Sequence, residues 1–411
     1  MNKGSIARAA KYERRNQYHL LWAHFFKRFL HNDLISPQGE TQITLIHILS
    51  VLTVPGFLFA YVAFKKYFIY LKSTPPMIRM AATLSDQGLL IAFSMIAMGF
   101  LAILEWDALL PERRDFAVLT PLPIRRKTLL GAKVTALLLF LWFFTTAINL
   151  FPALVLPWAT ADQADSLITL LWRIAVHLVS VGVASTFVFF SCVTLHGLLV
   201  NFPGRHSLDR VSRAAQFLLL LLLVQALFLL PQLSFAIKTL KQTDSLAAYL
   251  PPLWYLGLYQ TLLGNEDPVY RSLAGTALTA LGLSFAGSLL VYIFSFRERL
   301  SPWTEAREYQ SPSVPRAQAW VETFLSRLTI RNEVEQAIFH FVIKTTLRSH
   351  KHRLYLGAYA AVGLAFSGVT TLASVRWVEE ATLEQIQSAL LPVPLILLFF
   401  LLVGMRYIFT I

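Results

Sequence analysis

The sequence contains a single cysteine, Cys192, and few charged side chains. One cysteine cannot form a disulfide bond within the chain, which excludes a disulfide-stapled domain. Charged residues make up 14% of the chain, whereas soluble domains contain about 25%. Apolar residues account for 56%. This composition excludes a water-soluble fold, so we expect a membrane protein whose function must be inferred mainly from its loops.

Two catalytic signatures are also missing from the sequence. The chain has no G-x-x-x-x-G-K-[ST] loop, which would bind nucleotide phosphates, and no H-E-x-x-H zinc motif. His177 and His196 lie about five turns apart on one predicted helix, too far to share a metal ion. We therefore predict that the chain is not an enzyme and that it binds no metal or cofactor of its own.

Eight apolar stretches are present, and each has a length that suits a helical crossing of about 20 residues. They cover residues 43–64, 88–106, 134–156, 167–200, 214–237, 272–296, 354–374 and 390–407. The sequence thus predicts an all-α polytopic integral membrane protein with about eight transmembrane helices. Between the fifth and sixth stretches, the polar-aromatic residues 238–271 have apolar runs too short to cross, and we expect an interfacial or re-entrant segment there.

An amphipathic helix is predicted before the first span, over residues 11–32. Apolar, mostly aromatic residues are interspersed with basic ones. The apolar residues are Tyr18, Leu21, Trp22, Phe25, Phe26 and Phe29, and the basic residues are Arg14, Arg15, Lys27 and Arg28. Aromatic side chains on one face and basic side chains on the other favour a helix lying in the membrane interface, an N-terminal elbow helix. The alternative is an ordinary cytosolic helix packed on the rest of the protein.

The distribution of basic residues predicts the orientation in the membrane. With the N-terminus inside, the cytosolic segments 1–41, 107–133, 201–213 and 297–353 carry 26 of the 36 Lys and Arg residues. The positive-inside rule therefore favours a cytosolic N-terminus, in what we expect to be a bacterial cytoplasmic (inner) membrane. The net charge of +13 then reflects topology and lipid contact, and nucleic acid is not an expected partner. Lys65, Lys66, Lys72 and Arg79 are exceptions on the outer side, expected to snorkel or to face anionic headgroups.

These features divide the chain into four parts. Residues 1–41 form the cytosolic N-terminus with the elbow helix, and 42–296 form a six-span core. Residues 297–353 are expected to be a cytosolic linker and helix, and 354–411 two further transmembrane helices. The chain ends directly after the last predicted span, which raises the expectation that it is truncated.

The segment between the second and third spans, residues 107–133, is much longer than a turn between two helices requires. Pro111 is suited to the first position of a short helix, where Glu112 would face the positive end of the helix dipole. Arg113, Arg114 and Asp115 place charges of both signs beside it. A plain positive-inside loop would explain the basic residues at 125–127 but not this mixed-charge helix or its prolines. We therefore predict a docking helix at the membrane surface.

This loop resembles the first cytosolic loop of ABC-2 type transporter permeases. The matching residues are Glu105-Trp106-Asp107, Pro111 to Asp115, Leu122-Pro123-Ile124 and Gly131-Ala132-Lys133. The likeness extends over about residues 11–296, and the last part of the chain departs from a six-span permease.

The resemblance implies a function. The chain would be the permease subunit of an ABC exporter, driven by a separate ATPase subunit that binds ATP, and would work as a homodimer or with a second permease. The implied coupling residues are Leu110, Pro111, Glu112, Arg113, Arg114, Asp115, Phe116, Leu122 and Pro123. Lipid, drug, polysaccharide and peptide all remain open as substrates.

Two other functions stay open. A secondary transporter driven by an ion gradient is the main alternative, although the predicted spans hold almost no carboxylates to couple protons or sodium; Glu105, at a span end, is the one candidate. A membrane-embedded enzyme is the third hypothesis.

The topology can be tested with cysteines placed at Asp115 and Gln163, on opposite sides of the predicted membrane. We expect a membrane-impermeant maleimide added outside to label a cysteine at 163 and to leave one at 115 unlabelled until the membrane is permeabilised. Equal labelling of both positions from outside would contradict the predicted orientation.

Overall fold

The computed structural model describes residues 17–27, 41–106, 109–110, 126–161, 166–201, 205–240, 246–299, 341, 350–376, 395–396, 398–400 and 402–403. The chain divides into two compact units. The first comprises residues 1–212 and 229–298, and the second residues 213–228 and 299–411. All regular structure in the described residues is helical, which confirms the predicted all-α class for that part of the chain.

Ten α-helices are numbered in chain order among the described residues. They are α1 (17–27), α2 (Thr41–Lys65), α3 (Pro76–Leu104), α4 (Arg126–Ala159), α5 (Leu167–Asn201), α6 (Arg205–Leu229), α7 (Leu233–Thr239), α8 (Pro251–Leu262), α9 (Pro268–Arg299) and α10 (His350–Arg376). A π-helical turn, Lys66–Tyr70, continues α2, and 3-10 turns cover Leu230–Gln232 and Leu246–Tyr249.

Five of these helices have segments long and apolar enough to cross a membrane. These segments are Pro76–Leu104, Gly131–Ala159, Leu167–Val200, Ala214–Gln232 and Pro268–Ser295. They correspond to the second to sixth predicted spans. Helix α2 covers the predicted first span, and α10 contains a shorter apolar segment, Leu356–Val369, within the predicted seventh. Of the predicted eighth span, and of the linker 297–353, most residues lie outside the described part of the chain.

Helices α2 and α4 cross closely, with prolines in both. A Cβ atom on Gly56 would overlap the backbone carbonyl of Ile148, one turn before Pro152. Phe57 and Phe151 meet edge to face beside this crossing, with ring centroids 5.5 Å apart. A backbone contact of this kind requires glycine, as is common where helices pack without a hydrophobic driving force in lipid.

Helices α3 and α5 form the centre of the first unit. Helix α3 is the most buried of the five long apolar segments, and it packs on α5, α7 and α8. Helix α5 approaches α9 closely: Gly197 faces Val291, and the Thr194 hydroxyl donates to the Ser284 carbonyl at 3.1 Å. These contacts order the helices through small residues and interhelical hydrogen bonds.

The predicted interfacial or re-entrant segment contains α8, a short helix that is largely buried. Pro251 and Pro252 begin it, and it ends before Gly264, whose φ of +88° favours glycine. Leu253, Tyr255 and Leu256 are fully buried in the core formed with α3, α5, α7 and α9. Twelve residues cannot span a bilayer. Helix α8 therefore does not cross the membrane, and it is held in place by packing against the four surrounding helices.

Four cations were expected to snorkel or to face lipid headgroups, and three of them have partners within the chain: Lys65 lies over the Tyr61 ring, with its ammonium 4.7 Å from the ring centre. Lys66 forms an ion pair with Asp86 at 2.7 Å, and the Tyr67 hydroxyl donates to the same carboxylate at 2.8 Å. Burial raises the pKa of Tyr67, and the charge of Asp86 raises it further, so the phenol remains a donor. The Arg79 guanidinium donates to the Ala159 carbonyl at 3.1 Å.

Arginines from two helices bind the carbonyls at the C-terminal end of α4. Arg79 comes from the start of α3, and Arg173, near the start of α5, donates to the Thr160 carbonyl at 3.2 Å. Cations at a helix C-terminus satisfy its orphan carbonyls and oppose its dipole. At this end of the first unit, called the α4–α5 end below, Arg79 and Arg173 thus connect the starts of α3 and α5 to the end of α4.

In the second unit, α10 packs against residues 213–228 of α6. Gly357 lies against the Phe217 ring, and Gly368 faces Gln225. The Ser367 hydroxyl donates to Gly363 O within its own helix at 2.8 Å. Glycine thus allows close contact between two helices in the second unit, as it does in the first.

The α2–α4 crossing predicts a specific sensitivity at Gly56. Gly56→Ala forces a methyl group against backbone that cannot rotate away, and we expect it to destabilise the protein by about 1–3 kcal/mol. The measurement is thermal unfolding of the purified chain in detergent. Gly275→Ala on α9 is the matched control, since a Cβ there meets nothing within 4 Å. Equal losses of Tm in the two variants would contradict the close crossing.

Candidate coupling site at the base of the α3–α4 loop

Helix α1 packs along the first half of α4. The Tyr18 hydroxyl hydrogen-bonds to the Gly131 carbonyl at 3.4 Å and to the Thr135 hydroxyl, and Phe26 meets Phe143 edge to face. Leu21 and Phe25 are buried, whereas Leu20 is exposed. The predicted amphipathic helix is thus helical over residues 17–27 and uses its buried side to contact the protein.

The two ends of the α3–α4 loop are joined by a buried lysine. Lys133, near the start of α4, is 5% exposed, and its ammonium group donates to the Leu110 carbonyl at 3.1 Å. It also lies 5.7 Å from the centre of the Phe25 ring, within the range of a cation–π contact. A buried ammonium is costly unless such partners surround it. Lys133 therefore ties α1, α4 and the end of the α3 segment to one another.

Leu109 and Leu110 anchor the same end of the loop by burial. Both side chains are 0% exposed, and the Leu109 amide donates to the Glu105 carbonyl at 3.0 Å. Leu110 is one of the coupling residues that the resemblance to ABC-2 permeases implies. In this structure both leucines pack within the chain, which holds the loop base against the helices.

A second set of contacts fixes the end of α3. The Trp106 indole donates to the Ser212 hydroxyl at 3.1 Å, and both residues are buried. The Trp106 ring also packs on the His196 imidazole, with centroids 4.6 Å apart. Glu105 beside it is buried as well. Trp106, which directly precedes the predicted coupling loop 107–133, is thus bound to the end of α5 and to the first part of α6.

Glu105, Trp106 and Gly131 to Lys133 carry part of the resemblance to ABC-2 permeases, and the structure joins Lys133 to Leu110, next to Leu109, which is bonded to Glu105. The remaining predicted coupling residues, 111–116 and 122–123, lie outside the described residues, so only Leu110 of that set has a described position. Lys133 stands in one of the motifs that carry the resemblance, but its hydrogen-bond partner was not predicted. The bond joins residues 23 positions apart, and the sequence alone carries no sign that these two residues meet in space.

Comparison of the chain with protein-family models, with curated proteins and with solved structures gives no match. Within the described residues, no group of three or more His, Cys, Asp or Glu side chains is placed to hold a metal ion. A function can therefore be inferred only from the amino-acid sequence of the α3–α4 loop and from the contacts of Lys133 and Trp106 at its base.

The role of Lys133 can be tested by Lys133→Met, which keeps the apolar stem and removes the ammonium donor. We expect amide hydrogen exchange to accelerate roughly fivefold in residues 105–110 and 131–135, since a buried hydrogen bond is lost. Exchange in α9 should not change. The exposed Lys238 provides the control variant Lys238→Met. Unchanged exchange at the loop base in Lys133→Met would show that Lys133 does not hold it.

Proposed function

We propose that this chain is the transmembrane permease subunit of an ABC exporter, which forms the substrate path and is moved by a separate ATPase subunit. The observation that carries the proposal is the buried bond from Lys133 to the Leu110 carbonyl, which closes the base of the α3–α4 loop. A loop held in this way cannot move independently of its helices. It therefore suits a partner that must transmit motion into the membrane.

The partner contact is assigned to residues 111–116 and 122–123 of the loop. Glu112, Arg113, Arg114 and Asp115 present both signs of charge over four positions, which can fix the register of a docking groove. Leu110 and its neighbour Leu109 serve as the anchor of this helix within the permease, and Phe116 supplies apolar contact to the ATPase. ATP is bound and hydrolysed in that subunit.

The finer architecture belongs to the same proposal. The chain has eight spans, an N-terminal elbow helix in the interface and a cytosolic N-terminus, in a bacterial inner membrane. Leu21 and Phe25 pack on the helical core, and we assign the exposed Leu20 on the other side of α1 to lipid contact. Two copies, or this chain and a second permease, enclose the path, since six core helices are few for an alternating-access pathway.

The decisive variants reverse charge at two neighbouring sites. We expect Arg113→Glu/Arg114→Glu to release the ATPase and to abolish transport while the chain still inserts, because losing one side of a buried charged contact costs about 2–5 kcal/mol. Arg125→Glu/Arg126→Glu is the comparison and should disturb insertion instead, since these residues act as topology anchors. The measurement is co-purification in mild detergent with immunoblotting of the membrane fraction.

The exporter hypothesis requires that the wild-type chain co-purifies with a Walker-type ATPase. If Arg113→Glu/Arg114→Glu keeps the ATPase bound and transport intact, the coupling-helix assignment is wrong. If the wild-type chain transports on an ion gradient without any ATPase, the secondary-transporter hypothesis replaces the exporter.

A further inference from the structure

A cluster of uncharged polar side chains is buried in the first unit, away from the coupling loop. The Gln260 amide donates to the Gln87 side-chain oxygen at 2.6 Å, and the buried Tyr259 directly precedes Gln260 on α8. His177 meets the Tyr259 ring edge to face, with centroids 5.8 Å apart. The four side chains come from three helices, α3, α5 and α8, and are at most 8% exposed.

His177 is the anomalous member of the cluster. It is 0% exposed, and neither ring nitrogen has a hydrogen-bond partner among the described residues. Ser180, one turn further along α5, is also fully buried with an unpartnered hydroxyl. Unsatisfied buried polar groups destabilise a fold and are rare in native structures unless they have a function or hold water. An ionisable side chain such as His177 inside a membrane-spanning helix is a candidate functional position.

The local architecture suits a binding position. Helix α8 is too short to cross a bilayer, yet Leu253 and residues 255–260 are buried, and transporters commonly place substrate sites beside helices that do not span the whole membrane. The cluster is surrounded by apolar residues of the core, including Val176, Val181 and Leu256. A ligand here would therefore be apolar over most of its surface and polar at one group.

The donors and acceptors define that polar group. Gln87, Tyr259 and Gln260 carry no charge, and each can both donate and accept hydrogen bonds. A neutral imidazole at His177 adds one donor and one acceptor. The nearby cation Arg173 binds the Thr160 carbonyl. The group that complements this set is itself uncharged and both donates and accepts, as an amide or a hydroxyl does.

We propose that Gln87, His177, Tyr259 and Gln260 form the site that binds an uncharged amide or hydroxyl group of an otherwise apolar molecule on its way through the permease. This inference rests on the proposed export function and gives the chemical class of the substrate. In the structure the site is closed. The Gln87–Gln260 bond holds α8 against α3, and an entering amide or hydroxyl would replace it.

The test uses the full chain in lipid nanodiscs of phosphatidylethanolamine and phosphatidylglycerol, with a diazirine-bearing decanamide as the photoreactive probe. We expect labelled peptides to contain residues 87, 177 and 259–260. Unlabelled decanamide or decanol should compete, and decanoate should not. Whichever of the two uncharged competitors is effective identifies the amide or the hydroxyl as the preferred group. Labelling spread over lipid-facing helices, or equal competition by decanoate, would overturn the assignment.

Two variants separate binding from folding. Gln260→Leu and His177→Phe should each reduce specific labelling roughly tenfold, because each removes hydrogen-bonding partners of the ligand. Thr194→Val is the control, since its bond to Ser284 lies 17 residues further along α5. His177→Phe should also keep or raise Tm, because the nitrogens it removes are unpartnered in this closed form.

Unchanged labelling in both variants would overturn the proposal. A lower Tm in His177→Phe together with unchanged labelling would mean that the imidazole binds only buried water. The labelling needs no ATPase, so its failure is distinct from failure of the exporter assignment, which is decided by co-purification.

Discussion

The bilayer interior supplies no water, so polar groups placed in it must find partners within the protein, and the rest of the structure depends on this constraint. The first unit meets it at both ends. At the α4–α5 end, Arg79 and Arg173 bind the final carbonyls of α4, and Lys66 pairs with Asp86. Basic residues that contradict the positive-inside pattern are thereby partly explained, because these cations satisfy groups of the protein itself. Among the described residues, His177 and Ser180 are places where the constraint is not met, and there we propose that a ligand supplies the missing partners.

The opposite end of the unit is organised around one lysine. Lys133 connects the loop base, α4 and the Phe25 ring of α1, while Trp106 connects the end of α3 to Ser212 and His196. Force applied to the loop would thus reach α1, α3, α4, α5 and α6 together. In the proposed mechanism, a partner that binds residues 111–116 moves α3 and α4 together. Because α3 also carries Gln87, the same motion would reach the bond that holds α8 closed.

Much of the fold follows from the sequence, because hydrophobic length and proline positions are local signals. The second to sixth predicted spans coincide with long apolar helices, although α3 begins at Pro76, earlier than the predicted start at residue 88. The additional turns are polar and amphipathic, and Arg79 and Asp86 stabilise them through partners on other segments.

The short helix at Pro251 was expected as a re-entrant or interfacial segment, but its burial depends on contacts with four other helices. The Gln87–Gln260 bond was not predictable, since 173 positions separate the two residues. The Leu110–Lys133 contact was missed for the same reason, although both residues had been singled out.

The central claim is that the α3–α4 loop contacts an ATPase, and a photo-crosslink tests it most directly. The photoreactive amino acid p-benzoylphenylalanine is introduced at Glu112 in living cells, and at Gln163 as the control on the opposite side of the membrane. We predict an ultraviolet-dependent adduct at 112 that mass spectrometry identifies as a Walker-type ATPase, with no such adduct at 163. Normal expression of the 112 variant with no ATPase adduct, or an equal adduct at 163, would contradict the account.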